Sequence, residues 1–212
     1  MKYEKTRTLV LEAILEANRL GLIHGTAGNI SARYENENIA VITPSGVPYK
    51  SLSPEKISIV SLDGEWLDGP NKPSSETPMH TAVYRARPDV GAVVHTHSLY
   101  ATVMGMDGGT LPVATPPAAE MWPVKTVPFI MPASEELAKG VVETLGDGRA
   151  VLMKNHGMLC VGKDMKAAMT GSILVEECAK VVYHARLLGT FEPMPEDAVK
   201  KMQIMISGGS AV

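Results

Sequence analysis

His95 and His97 stand one residue apart at the end of an apolar run, Val90-Gly91-Ala92-Val93-Val94. The run is β-branched, opens after Pro88-Asp89 and closes at Ser98, which predicts a β-strand. Side chains alternate along a strand, so both imidazoles project from one face and can reach one metal ion. Such a pair needs further ligands. His156 is the third candidate, in the tight turn Asn155-His156-Gly157 after another apolar strand. Glu76 is the fourth, in Ser74-Ser75-Glu76 at the start of a helix. Each residue also has a plain structural role open to it: solvated histidines, a turn histidine bonded to backbone, and a carboxylate favoured by the helix dipole. Together, three imidazoles and one carboxylate form a reasonable four-coordinate zinc site, with Mn2+ or Co2+ as alternatives. The net positive charge left on such a metal suits a Lewis acid.

Small polar stretches form a second constellation. Thr26, Gly28 and Asn29, then Ser45 and Gly46, then Ser74 and Ser75 combine hydroxyls with bare backbone. Glycines let the chain approach a ligand, and nests of N–H groups bind phosphate without a formal charge. Ser74-Ser75 also precedes a helix N-terminus, a ready anion site. Each loop alone reads as a turn; three in one chain point to a phosphate pocket.

The elements that must position these residues follow from periodicity and punctuation. Apolar spacing predicts a helix from about residue 4 to 20, stopped by Gly21. Gly25 to Ser31 reads as a loop, and Ile39 to Thr43 as a short strand. Ser53-Pro54-Glu55 predicts a brief helix N-capped by Ser53, and Ile57 to Leu67 a hairpin about Asp63-Gly64. Helices are expected over Thr77–Ala86, Ser98–Gly105, Ser134–Leu145 and Asp164–Leu188. Strands are expected over Thr126–Met131, Arg149–Lys154 and Met158–Val161. Residues 106 to 126, rich in Gly and Pro, read as a long irregular connection. After Pro193 only a weakly apolar helix is expected, in a mobile tail from about residue 194 that frays at Gly208-Gly209-Ser210. The fold class is α/β: a single three-layer αβα domain over 1–212, around a mixed, largely antiparallel sheet.

Composition excludes several classes. With 45% hydrophobic and 20% charged residues in 212, the chain can bury one good core. A net charge of −3 gives no basis for bulk nucleic-acid binding. No run of about 18 apolar residues predicts a membrane span, and Met1 to Lys5 lacks a signal-peptide core. Cys160 and Cys178, both in apolar segments, read as buried free thiols in a reducing cytoplasm.

These landmarks resemble the class II aldolase/adducin family over nearly the whole chain. They are Arg19-Leu20-Gly21-Leu22 with Gly25-Thr26-Ala27-Gly28-Asn29-Ile30-Ser31; Ile42-Thr43-Pro44-Ser45-Gly46-Val47-Pro48-Tyr49; Pro73-Ser74-Ser75-Glu76; Arg87-Pro88-Asp89 with His95-Thr96-His97-Ser98; and Asn155-His156-Gly157. The resemblance implies zinc held by Glu76, His95, His97 and His156, with Glu76 doubling as catalytic acid/base. It implies a phosphate pocket from Gly28, Asn29, Ser45, Gly46, Ser74 and Ser75. It further implies a cytoplasmic homotetramer with active sites between subunits, acting on a phosphorylated ketose by breaking its C3–C4 bond.

Within the family, Glu at position 76 matches the fuculose-phosphate aldolase branch, whereas the ribulose-phosphate 4-epimerase branch carries Asp there. Pro48-Tyr49, Pro73-Ser74-Ser75 and His95-Thr96-His97-Ser98 resemble the epimerase equally well. An aldolase releasing dihydroxyacetone phosphate and an aldehyde is therefore the first expectation and an epimerase the second. A non-catalytic module, as in the adducin branch, would not need the four ligands. Two departures stand out: no Tyr lies between Tyr100 and Tyr183, and none follows Tyr183, where the relatives use tyrosines. The one acid of the long connection, Glu120, aligns with a catalytic Asp of the epimerase. It is the candidate proton donor, acting in trans at a neighbouring subunit's site.

Overall fold

The computed structural model describes residues 1–34, 37–206 and 208; part of the frayed end expected over Gly208–Ser210 lies outside these. In chain order the elements are α1 (Glu4–Arg19), β1 (Asn29–Tyr34), β2 (Ile39–Ile42), β3 (Ser58–Ser61), β4 (Trp66–Asp68), α2 (Thr77–Ala86), β5 (Ala92–Thr96) and α3 (Leu99–Gly105). They continue with β6 (Thr110–Leu111), β7 (Val124–Val127), α4 (Glu135–Leu145), β8 (Ala150–Met153), β9 (Gly157–Gly162), α5 (Met165–Leu187) and α6 (Glu196–Ile206). The strands form a nine-stranded sheet in the order β4-β3-β2-β1-β5-β9-β8-β7-β6. Every pairing is antiparallel except β7 with β8, where α4 provides the crossover that a parallel pair requires. The sheet is thus mixed and largely antiparallel, as the sequence predicts.

Alternation along the strands sorts the core into two layers. Ala40, Ile42, Val93, Val151, Met153, Leu159 and Val161 pack with Met79, Val83 and Tyr84 of α2 and Leu137, Val141 and Leu145 of α4. Their neighbours Val41, Ala92 and Val94 face Val10, Ile14 and Ala17 of α1 and Met165 and Ala168 of α5. Ala150, Leu152, Met158 and Cys160 face Ala101 and Met104 of α3 and Val175 and Ala179 of α5. Burying one such side chain stabilises the fold by about 1.5–3 kcal/mol, so this period-two pattern fixes the register strongly.

Two helix starts are anchored by the expected caps. Ser134 Oγ accepts from Leu137 N at 3.0 Å, with Glu135 and Glu136 in the first turn. Asp164 Oδ1 accepts from Ala167 N at 2.8 Å. Ser53 differs: Pro54–Lys56 is only a 3₁₀ turn, and the Ser53 side chain makes no cap hydrogen bond.

Three further differences matter. Gly25 to Ser31 was expected to be all loop, but Asn29–Tyr34 is a central strand between β2 and β5. The strand expected at Thr126–Met131 lies earlier, at Val124–Val127, because Pro128 has no N–H for the ladder. The long connection carries β6 and a 3₁₀ helix over Pro116–Met121. After residue 194, α6 packs on that 3₁₀ helix, with Val199 buried and Gln203 Nε2 donating to the Trp122 carbonyl. Among the described residues, no helix is long and apolar enough to cross a membrane.

Candidate active site

Strand parity brings the histidines to α2. Val93 of β5 faces the α2–α4 layer, so His95, two residues on, points the same way. His97 follows one residue beyond the strand end. Gly157 opens β9 beside β5, which carries His156 to the same place. The N-cap residue of α2 is Glu76 itself, which meets His95 and His156 at the ends of the central strands.

The four side chains converge. His95 Nε2 lies 3.0 Å from His97 Nε2 and 3.0 Å from Glu76 Oε2, and His156 Nε2 lies 3.2 Å from Glu76 Oε1. The three rings are 4.8 to 5.0 Å apart between centroids. One ligand atom from each residue falls within 4.8 Å of all the others.

This donor set fits a divalent cation. Ligand atoms arranged tetrahedrally around zinc stand about 3.3 Å apart, close to the separations here. His95 Nδ1 lies 2.8 Å from the Met158 carbonyl, which fixes the proton on Nδ1 and leaves Nε2 a lone pair directed into the cluster. Glu76 Oε1 is buried without a hydrogen bond, as is His156 Nδ1. A cation gives the former a partner. Burial, with His95 and His156 close by, pushes His97 down to about 4, so its ring is neutral and able to ligate near pH 7. Burial alone would raise the Glu76 carboxyl, but the neighbouring His95 and His156 rings and the hydrogen bond from Asn29 outweigh it. The group stays far below the usual carboxylate range.

The three polar loops meet beside this cluster. Thr43 N donates to the Ile30 carbonyl and Ser74 N to the Thr43 carbonyl, each at 3.1 Å, while Ser45 N donates to the Lys72 carbonyl at 2.8 Å. Those bonds tie the Thr43–Ser45 segment to β1 on one side and to the Lys72–Ser74 segment on the other. Thr26, Ser45 and Ser75 are exposed, with hydroxyls available to a ligand; Ser74 is buried, and its Oγ accepts from Glu76 N. Tyr49 ties the first loop down, its hydroxyl donating to the Ala27 carbonyl at 2.6 Å. Gly28 is required where it stands: φ is +86°, and a Cβ would lie 2.6 Å from Ile23 Cγ2 and 2.9 Å from the His95 carbonyl oxygen.

Two predicted residues sit differently from the rest. Asn29 directs its amide to the cluster, with Nδ2 2.8 Å from Glu76 Oε2 and Oδ1 2.6 Å from His80 Nε2. Glu120 is not brought to the cluster of its own chain. It pairs with Arg149 at 2.5 Å, and Arg149 precedes β8 whereas His156 follows it, so the two lie at opposite ends of that strand.

Sequence reasoning missed His80, Ser31 and Tyr84. The signal was there: His80 falls one helical turn after Glu76 and Tyr84 one turn after His80. Full burial pushes His80 down to about 3, so it is neutral.

A single sheet between two helical layers, with a carboxylate and three imidazoles gathered at the ends of its central strands β5 and β9, is the framework of a metal-dependent enzyme. The family model "Class II Aldolase and Adducin N-terminal domain" matches residues 8–183, and the chain belongs to that family. It is 37% identical over 189 residues to a 5-deoxy-D-ribulose 1-phosphate aldolase of Bacillus thuringiensis, covering 89% of each chain. It is 32% identical over 197 residues to an L-ribulose-5-phosphate 4-epimerase of Salmonella paratyphi C, covering 86% of each. Among solved structures, an L-fuculose 1-phosphate aldolase superposes with a TM-score of 0.93 at 27% identity, covering 98% of both chains.

Proposed function

We propose that this protein is a zinc-dependent aldolase cleaving a ketose 1-phosphate into dihydroxyacetone phosphate and an aldehyde. The observation that carries the reading is the convergence of Glu76, His95, His97 and His156. Glu76, His95, His97 and His156 would hold a divalent cation, which would supply Lewis acidity to the substrate's carbonyl. The chain supplies the rest. The hydroxyls of Thr26, Ser45 and Ser75, the backbone at Gly28 and Gly46, and the Ser74-Ser75 helix start hold the phosphate, with Asn29 adding its remaining amide hydrogen. Cleavage removes a proton from the C4 hydroxyl, breaks C3–C4 and returns a proton to C3. Glu76, ionised at rest, would take up the proton that the substrate's C3 hydroxyl loses on binding and deliver it to C3, while the C4 proton leaves through a separate group.

The proton at the aldehyde oxygen falls to Glu120. Lying away from its own cluster, it would serve a neighbouring chain, in a homotetramer with active sites between subunits. The likeness to a 5-deoxy-ketose phosphate aldolase supports a deoxy-ketose phosphate as substrate. Buried free thiols at Cys160 and Cys178 support a cytoplasmic setting. The second reading, a sugar-phosphate 4-epimerase, draws on the epimerase relative. Glu76 favours the aldolase, since its extra methylene lets the carboxylate move between ligation and proton transfer.

A panel of ketose 1- and 5-phosphates, assayed for released dihydroxyacetone phosphate and for epimerised ketose, tests both readings. Release of the triose phosphate from a 1-phosphate establishes the aldolase; epimerised 5-phosphate without release establishes the alternative.

A further inference from the structure

We propose that Tyr84, Ser31 and His80 form a one-way hydrogen-bond chain that acts through Asn29 to fix Glu76 Oε2. His80 is thereby a positioning residue for the ligating carboxylate. The proposal rests on the metal-site reading above.

The direction of each bond follows from the donor inventory. An ionised carboxylate only accepts, so Asn29 must present Nδ2 to Glu76 Oε2, at 2.8 Å. That turns Asn29 Oδ1 toward His80 Nε2, at 2.6 Å, and an amide oxygen only accepts. His80 Nε2 therefore carries the hydrogen. A neutral imidazole has one N–H, so Nδ1 is an acceptor, and Ser31 Oγ donates to it at 2.7 Å. The single hydroxyl hydrogen of Ser31 is then spent, and Ser31 Oγ accepts from the Tyr84 hydroxyl at 2.8 Å. No member can reverse without leaving two acceptors face to face.

The fold builds this chain deliberately out of reach of water. Asn29 is 6% exposed, Ser31 and His80 are 0% and Tyr84 is 1%. Asn29 and Ser31 are alternate residues of β1, facing His95 and Val93 of β5 respectively. His80 and Tyr84 are one turn apart on α2, above them. A free Asn amide can rotate half a turn and present oxygen to the carboxylate; His80 Nε2–H removes that option. Groups that orient a metal ligand in this way typically contribute ~10–100-fold to metal affinity.

The test measures zinc affinity on the full chain by competition with a chromophoric chelator. It compares wild type, His80→Phe, His80→Gln and Ser31→Ala, and adds the 15N imidazole shifts of His80 in the metal-free wild type. The expected tautomer is Nε2–H. His80→Phe weakens zinc binding by ~10–100-fold. His80→Gln, which offers Asn29 an amide N–H from a similar position, recovers most of that loss. Ser31→Ala frees the tautomer and weakens binding several-fold. Unweakened zinc binding in His80→Phe, equal losses in the Phe and Gln variants, or an Nδ1–H tautomer overturns the proposal. If the His80 variants do not fold, Ser31→Ala and the tautomer decide, and wild-type affinity in Ser31→Ala counts against the chain. A wild-type protein that binds no zinc defeats the metal-site reading, and the tautomer of the metal-free protein still judges the chain.

Discussion

Asn29 of β1 and His95 of β5 are direct partners in the antiparallel ladder. That pairing joins the first polar loop to the histidine cluster, so the site that would grip a phosphate and the site that would hold a cation share one stretch of backbone. Shifting β1 by one residue would turn Asn29 and Ser31 to the other face and dismantle both.

Metal removal tests the cluster first. Purified protein should carry about one divalent ion per chain, and chelation should abolish activity. Adding zinc at 1,000 times its Kd should restore about 4 kcal/mol of stability, read as a rise in Tm. His95→Ala should lose both the ion and this rise.

Glu76→Gln separates proton transfer from substrate binding. Turnover should fall ~10²–10⁴-fold, the usual worth of a general acid–base group, while KM changes much less. Steady-state kinetics at saturating zinc check this, and full turnover in the variant would move the acid–base role elsewhere.

The proposed phosphate pocket should show itself in KM. Ser45→Ala and Ser75→Ala each remove one neutral hydrogen bond, worth about 0.5–1.5 kcal/mol, so each should raise KM ~2–12-fold with kcat nearly constant. Inhibition by inorganic phosphate should weaken in parallel. Gly28→Ala should be harsher, costing about 1–3 kcal/mol of stability, because its backbone is left-handed and its Cβ would meet Ile23 and the His95 carbonyl. Chemical denaturation measures that loss.

Glu120→Gln should lower turnover ~10²–10⁴-fold with zinc content unchanged if it serves a neighbouring site. Its pair with Arg149 is partly exposed, so the stability cost should be within about 1 kcal/mol. Full activity in the variant would leave water as the proton source.

Acid should destabilise the metal-free protein through its buried histidines. His80 is pushed from 6.5 down to about 3 and His97 from 6.5 to about 4. Between those values and 6.5 the unfolded chain binds more protons than the folded one, so stability rises with pH through that window and is lost on acidification. For His80 the slope should reach about 1.4 kcal/mol per pH unit. Urea melts from pH 4 to 8 measure it, and His80→Gln should flatten the curve.

The sequence by itself determined the chemistry-bearing residue types, the α2, α4 and α5 helices with their boundaries, and the shared direction of His95 and His97. Those features are local: a period of two or 3.6, a capping Ser134 or Asp164, and a turn at Asn155 are written in adjacent residues. Strand β1 was obscured because its polar positions, Asn29, Ser31 and Arg33, read as loop, although Ile30, Ala32 and Tyr34 alternate with them. Those polar side chains are tolerated only because α2 supplies partners: His80 and Tyr84 for Asn29 and Ser31, and the Tyr84 carbonyl for Arg33. Likewise, nothing near Glu120 in the chain announces Arg149. A buried polar group is stable only when packing delivers its partner from a distant segment, and which segment arrives is decided by the tertiary structure alone.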